Sequence, residues 1–328
     1  MLSMSRRDLL STAAAAGMSL AAGTASSAEA NSESRFAAMK PMLSGCCDIH
    51  LHAAPDSKAR SLSEYDMALA AREAGYRAVL FKSNDFSCHD RAYLLRQAVP
   101  GIELFGSLVL NRCTGPTLNV YAVEQALKTT GSLCRCVWLP TLDAQYQALR
   151  EGRSDAKAIK VCDGASKLLP EVIRIMELCA EADIILATGH SSPEESLIMA
   201  QAAKDMGFKK LVVTHPNTHI WRMTPTQLEK AAELGAWLEY CYLGHFWGPG
   251  TAMPTYEALT LESLKAFMSV APERTFITTD LGQVDMPHPV EGMRRACEDL
   301  EKIGFGKKQI EHIVKALPAQ LIAQDPLK

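Results

Sequence analysis

The sequence predicts a single (β/α)8 barrel, and three observations lead to that prediction. Strand-like and helix-like segments alternate from residue 44 onward, and eight such units fit in the length of one barrel domain. The strand-like segments are continuous apolar runs, which is typical of parallel strands buried on both faces. An open doubly wound sheet is the alternative, but no Gly-x-Gly-x-x-Gly motif follows a strand to form a dinucleotide site.

The predicted strands and helices follow one another in a regular order. The strands cover residues 46–53, 77–83, 103–111, 134–141, 184–190, 210–215, 236–242 and 275–280. The helices have apolar residues at three- and four-residue spacing, which predicts one buried face each. They include residues 62–73, 168–181, 193–205, 226–234 and 261–269.

Composition favours a globular protein that does not bind nucleic acid. The 328 residues are 48% hydrophobic and 22% charged, which is enough material for a large core. A net charge of -3 and a pI near 6.3 argue against nucleic acid as a partner. The ten cysteines show no regular framework spacing, so we expect most of them to be free, buried thiols.

The N-terminal residues predict an export signal. Arg6 and Arg7 precede an apolar, alanine-rich stretch, and Ala28-Glu29-Ala30 forms a plausible cleavage site, as in a twin-arginine signal. The apolar stretch is too short for a comfortable membrane span. We therefore expect a signal at residues 1–30, a linker at 31–43 and the barrel at 44–328. The expected location is periplasmic, without stable membrane insertion after cleavage.

Ligand-type residues end several predicted strands. His50 and His52 are two apart on the first strand, so both imidazoles can face one metal ion. His190, His215 and Asp280 end the fifth, sixth and eighth strands. Active sites of such barrels lie at the carboxyl ends of the strands, so these five residues predict a metal centre there.

In these motifs the chain resembles the amidohydrolase superfamily of metal-dependent barrel hydrolases. Further matching segments lie at residues 82–84, 189–195, 214–216 and 280–283, and they look like a poorly characterised group of that superfamily. The resemblance implies a divalent metal, usually zinc, with Asp280 binding both the metal and the attacking water. The metal-binding histidines that it implies are His50, His52 and His190. We expect no additional β-sandwich domain.

The chemistry of this ligand set is hydrolytic. Zinc lowers the pKa of a bound water from about 15.7 towards about 7, so hydroxide is available at neutral pH. Asp280 would take the proton from that water and deliver it to the leaving group. His215 either binds a second metal or stands off the first and polarises the water or the substrate carbonyl. We favour the second role because no bridging anionic ligand is certain, so one ion is favoured and two are an alternative.

Two basic residues at strand ends are candidates for substrate binding. Lys82 ends the second strand and would bind an anionic or carbonyl group, whereas Arg112, after the third, would capture a carboxylate. A carboxylated Lys82 that bridges two metals is the alternative, although the resemblance places such a lysine on the fourth strand. Surface or ion-pair roles fit both residues equally well.

Other polar and aromatic residues have supporting roles in this prediction. Asp48 either faces the barrel interior with the histidines or braces them through a hydrogen bond. Glu239 and Asp143 would shape the pocket or form structural ion pairs. The aromatic residues that we expect as pocket walls are Trp221, Phe246 and Trp247.

The sequence therefore predicts an enzyme that hydrolyses a small-molecule amide, cyclic amide or lactone with zinc-activated water. One alternative is hydrolysis of a carbon-carbon bond, or decarboxylation, of a carboxylated aromatic-derived compound. Another is a non-catalytic barrel that binds metal or ligand, although such a barrel need not keep Asp280 and His215 with the other histidines. The expected partner is a small-molecule substrate, and a homo-oligomer is compatible with the sequence.

Overall fold

The computed structural model shows a barrel of eight parallel strands, and it describes residues 35–164, 167–251 and 253–324. The predicted export signal at residues 1–30 lies outside the described residues. Each barrel strand pairs in parallel with the next along the chain, so the predicted (β/α)8 fold is confirmed. The strands span Cys47–Leu51, Ala78–Phe81, Glu103–Val109, Cys134–Trp138, Ile185–Ala187, Leu211–Val213, Trp237–Cys241 and Thr275–Thr278.

Backbone hydrogen bonds at the carboxyl ends of the first and eighth strands close the barrel. The amide of Asp280 donates to the carbonyl of His50 at 2.7 Å. The amide of His52 donates to the carbonyl of Leu281 at 2.8 Å. These bonds fix the segment with the two histidines beside the segment with Asp280.

Helices cover the outside of the barrel, and side chains cap several of their ends. Four of them begin with a capping box, in which a side-chain oxygen accepts from the third helical amide; the caps are Ser63, Ser192, Thr224 and Thr260. None of the helices in the described residues is long and apolar enough to cross a membrane. The helices span Lys40–Leu43, Glu64–Glu73, His89–Ala98, Val120–Lys128, Gln145–Arg150, Pro170–Glu181, Pro193–Met206, Pro225–Glu233, Leu261–Met268, Pro289–Lys302, Lys307–Glu311 and Leu317–Ile322.

Apolar side chains fill the barrel interior beneath the strand ends. A buried cluster draws on all eight strands, and its large members include Leu80, Phe105, Trp138 and Phe276. A second, larger cluster packs the strands against the surrounding helices. Because the interior is filled, inward-pointing polar side chains gather at the carboxyl ends of the strands, where active sites of this fold are built.

The cysteines are free thiols, as the sequence predicts. All ten lie within the described residues, and none of them forms a disulfide. Nine are buried and Cys113 is exposed, so the cysteines contribute to the core as small apolar side chains.

Candidate metal centre

The five ligand-type residues predicted from the sequence meet at the carboxyl end of the barrel. His50 is on the first strand and His52 follows it, while His190, His215 and Asp280 come two or three residues after the fifth, sixth and eighth strands. The four histidines are at most 8% exposed, and the Asp280 side chain is 15% exposed. The structure therefore brings these side chains into one buried region.

His50 lies between two carboxylates. Its Nδ1 is 2.9 Å from Oε1 of Glu239, and its Nε2 is 3.1 Å from Oδ1 of Asp280. Burial opposes a charge on the ring, but the carboxylates of Asp280 and Glu239 outweigh burial and raise the pKa of His50 to about 9. Without a metal the ring is therefore protonated at neutral pH. A metal ion at Nε2 would replace that proton as the partner of Asp280.

The carboxylate of Asp280 lies close to two of the predicted ligands, His50 and His52. Nε2 of His50 lacks the alignment of a hydrogen bond, although Oδ1 of Asp280 is near. Ligands about 2.1 Å from a tetrahedral zinc ion lie roughly 3.4 Å apart. Nε2 of His52 is also 3.1 Å from the same oxygen. Each contact with Asp280 is close to that spacing, whereas the group of described residues whose ligand atoms all lie within 4.8 Å of one another is His50, Cys241 and Asp280.

His52 differs from His50 in the partner of its second nitrogen. Nδ1 of His52 is 2.9 Å from Nη2 of Arg60, a buried guanidinium that also pairs with Asp56 at 2.7 Å. Arginine only donates hydrogen bonds, so Nδ1 is the acceptor and the neutral ring carries its proton on Nε2. Burial, followed by the charge of Arg60, lowers the pKa of His52 well below its usual value. A metal can bind Nε2 after Arg60 releases Nδ1 or after the ring loses this proton.

His190 and His215 pack side by side with Trp221 against both rings. Their ring centroids are 4.9 Å apart, and the Trp221 ring is 4.4 and 4.6 Å from them. Nδ1 of His190 donates to Oε1 of Gln147 at 2.5 Å, which leaves Nε2 free to bind a metal. Burial lowers the pKa of His190 well below its usual value and that of His215 to about 4, so both rings are neutral.

The backbone is strained where several of these residues follow their strands. His215 has φ of 32° and Asp280 has φ of 53°, in a region that residues other than glycine rarely adopt. Gly189, with φ of 62°, precedes His190, and a Cβ at Gly189 would lie 2.3 Å from the carbonyl oxygen of Leu139. Such strain persists only where the surrounding structure fixes it, and it is frequent at functional sites.

Glu239 has a more specific role than the sequence predicts. Its carboxylate accepts from Nδ1 of His50, and burial is outweighed by His50, so the pKa of Glu239 is lowered. Metal-binding histidines commonly donate their second ring N–H to a carboxylate in this way. The position of Glu239 on the seventh strand was the available signal, but sequence alone does not identify its partner.

Three residues at the site were not predicted. Arg60 and Gln147 contact histidines from a loop and a helix, where no spacing rule identifies them. Among the described residues, Cys241 forms a compact group with His50 and Asp280, with ligand atoms within 4.8 Å of one another. Its Sγ is 3.6 Å from Nδ1 of His50, on the side of the ring that faces Glu239. Cys241 follows Glu239 by two residues on one strand, so alternation could have found it.

Asp48 braces the first and eighth strands. Its carboxylate accepts from the amide and hydroxyl of Thr279 at 3.2 and 2.5 Å and from the amide of His50 at 3.4 Å. A register shift between Asp48 and Leu51 changes the alternation of side chains along the first strand. Of the two roles predicted for Asp48, the structure shows the bracing one.

The two predicted substrate-binding residues lie in different surroundings. Lys82 is 3% exposed, and its Nζ is 3.2 Å from Oδ1 of Asn84. Arg112 is exposed, and its backbone amide donates to the carboxylate of Asp143 at 2.8 Å. The structure therefore places Lys82 inside the barrel mouth and Arg112 at its edge.

The donor set fits a divalent metal ion. Neutral imidazoles and a carboxylate are ligands that zinc takes in proteins. Nε2 of His50 is a buried nitrogen without a hydrogen-bond partner among the described residues. Glu239 and Gln147 hold the rings of His50 and His190 through Nδ1, which presents Nε2 for coordination.

Several solved structures share this barrel at low sequence identity. An amidohydrolase from Pseudomonas aeruginosa is 11% identical with a TM-score of 0.56, covering 88% of this chain and 98% of its own. The metallopeptidase called dipeptidase AC is 12% identical with a TM-score of 0.53, covering 85% and 98%. A dihydroorotase is 12% identical with a TM-score of 0.52, covering 85% and 70%. These likenesses show that the barrel fold is shared.

A family model also matches the chain. The family is described as a family of unknown function, DUF6282, and the match covers residues 45–239, which is more than half of the chain. No curated protein sequence matches the chain. The matched segment contains His50, His52, His190 and His215, and it ends at Glu239.

Proposed function

The chain belongs to DUF6282, a family of unknown function, and we propose that it is a metal-dependent hydrolase acting on an amide, cyclic amide or lactone bond of a small molecule. The observation that carries this proposal is the setting of His50. Its buried ring has Nδ1 on the carboxylate of Glu239 and Nε2 beside the carboxylate of Asp280. Metal-binding histidines are commonly held in this way, with one ring nitrogen on a carboxylate and the other directed to the metal.

A divalent metal, for which zinc is the favoured candidate, supplies Lewis-acid chemistry by polarising a carbonyl and making water more acidic. His50, His190 and Asp280 would hold the ion, and His52 would join them when Arg60 releases its Nδ1. The ligand set leaves room for water beside Asp280, which keeps some solvent exposure at 15%.

Asp280 is the residue that we assign to proton transfer. Burial disfavours its charge, but His50 and His52 outweigh burial and lower the pKa of the carboxyl group well below its usual range. The carboxylate is therefore ionised at neutral pH and accepts the proton of the attacking water. It then returns that proton to the nitrogen or oxygen of the leaving group.

His215 and Trp221 complete the site in this proposal. His215 is neutral, its buried Nδ1 has no hydrogen-bond partner among the described residues, and we assign this ring to polarising the substrate carbonyl. Trp221 is 7% exposed and covers both His190 and His215, which limits the access of water to these rings.

The test is a substrate screen on zinc-loaded protein with amides, cyclic amides, lactones and carboxylated aromatics. We expect hydrolysis of at least one amide or lactone, lost on removal of the metal and in Asp280→Asn. Release of CO2, or cleavage of a carbon-carbon bond, would contradict this proposal in favour of the alternative reaction. Bound metal without turnover of any class would favour a binding protein.

A further inference from the structure

Lys82 is a buried basic side chain in the barrel mouth. Burial lowers its pKa, while the charges of the nearby Asp280 and Glu239 oppose that shift without forming an ion pair with it. Its side chain is 3% exposed, and its ammonium is 3.2 Å from the neutral Oδ1 of Asn84. None of the ion pairs in the described part of the chain includes Lys82. An ammonium has three N–H donors, so donors remain for another partner.

The polar groups that hold Asn84 are also neutral. Asn111 donates from Nδ2 to the backbone carbonyl of Asn84 at 2.6 Å and to Oγ1 of Thr141 at 2.7 Å. The hydroxyl of Thr141 lies 3.4 Å from Oδ1 of Asn84. These groups fix the orientation of Asn84, but they cannot neutralise the charge of Lys82.

Lys82 stands close to the proposed reaction centre. Its Nζ is 4.9 Å from the centroid of the Trp138 ring, and that ring is 4.4 Å from the ring of His50. The amide of Lys82 donates to the carbonyl of Leu51, between the two histidines of the first strand. A group bound by the ammonium would therefore lie next to the bond that is hydrolysed.

The acidic residues of this region already have other partners. Glu239 and Asp280 contact His50, and Asp56 pairs with Arg60. The ring of Trp138 and the charges of Asp280 and Glu239 already favour the ammonium, and its remaining N–H donors can still bind an anion that enters from outside. A single ammonium matches a singly charged carboxylate better than a phosphate, which proteins usually hold with several donors.

We propose that Lys82 binds a carboxylate of the substrate, so that the substrates are acids whose carboxylate lies close to the hydrolysed bond, such as N-acyl amino acids. This inference rests on the proposed function and names its substrate class.

Calorimetric titration of the zinc-loaded protein with benzoate and with benzamide tests the proposal without turnover. We expect Lys82→Gln to raise the Kd for benzoate roughly 10- to 100-fold, as for the loss of a charged hydrogen bond, with benzamide unchanged. Lys82→Arg should recover part of the benzoate affinity. Lys58→Gln removes the same charge from an exposed position and should leave both affinities unchanged.

The proposal is overturned if Lys82→Gln binds benzoate as the unaltered protein does, or if the unaltered protein does not bind benzoate. Tighter binding of inorganic phosphate than of benzoate would also overturn it. If Lys82→Gln fails to fold, Lys82→Met keeps the apolar stem and gives the same comparison. Equal hydrolysis of N-acyl amino acids and their neutral amides would refute the inference alone, whereas hydrolysis of none of the amides, cyclic amides and lactones in the screen would refute the proposed function.

Discussion

Replacing Glu239 by glutamine should weaken metal binding about 10- to 100-fold while the barrel stays folded. Oε1 of Glu239 accepts from Nδ1 of His50 at 2.9 Å, and both side chains are at most 1% exposed. Glutamine fills the same space but has no charge, so His50 becomes a weaker ligand.

The magnitude follows from the kind of bond that is lost. A buried hydrogen bond to a charged group contributes about 1.5–3 kcal/mol. In the unaltered protein the hydroxyl of Thr278 is 3.0 Å from Oε1 of Glu239, and the amide of His215 is 3.3 Å from Oε2. Glutamine keeps one oxygen, which can still accept one of these two hydrogen bonds. The free energy of unfolding should therefore decrease by less than the free energy of zinc binding does.

The assay is a zinc titration in competition with a chelator of known affinity, with thermal unfolding as the check on folding. Glu257→Gln removes the same charge from an exposed position and serves as the control. A Kd for zinc in Glu239→Gln equal to that of the unaltered protein and of the control would refute the reasoning about His50.

Three further predictions address single residues. Asp280→Asn should reduce hydrolysis roughly 100- to 10,000-fold while a measurable amount of zinc stays bound, and unchanged turnover would exclude a role in proton transfer. Cys241→Ser should leave the zinc content unchanged. The Sγ of Cys241 faces Nδ1 of His50, and burial raises the pKa of the thiol well above its usual value. Loss of zinc in this variant would show that Cys241 is a ligand. Burial lowers the pKa of His245 to about 4, so the unfolded chain binds the extra proton first as pH falls. The free energy of unfolding of the unaltered protein should therefore fall between about pH 6.5 and pH 4, and it should fall less steeply in His245→Gln. Denaturant unfolding measured at a series of pH values checks this.

The barrel and the positions of its ligand-type residues could be predicted from the sequence because both depend on local patterns. Apolar runs that alternate with helices define the eight strands. His50, His190, His215 and Asp280 follow those runs, and strand ends of a barrel meet at one face. The sequence pattern of the strands and this rule of barrel topology were therefore enough to predict that the four residues lie near one another.

The contacts of those residues could not be predicted because they depend on register and on distant segments. Asp48 has two predicted roles, and the choice between them depends on Thr279, 231 residues further along the chain, whose hydroxyl donates to the Asp48 carboxylate. Arg60 and Gln147 reach the histidines from irregular structure and from a helix, and no periodic pattern encodes such contacts. Arg112 follows its strand as Lys82 does, yet only Lys82 is buried.

The central claim is that the residues around His50 hold a divalent metal on which hydrolysis depends. Elemental analysis of protein purified without added metal, for the unaltered chain and for His50→Ala, tests this claim most directly. We predict one divalent ion per chain in the unaltered protein and its loss in His50→Ala, with hydrolysis lost in parallel. Full retention of the ion in His50→Ala, or an unaltered protein that takes up no zinc when zinc is supplied, would contradict the claim.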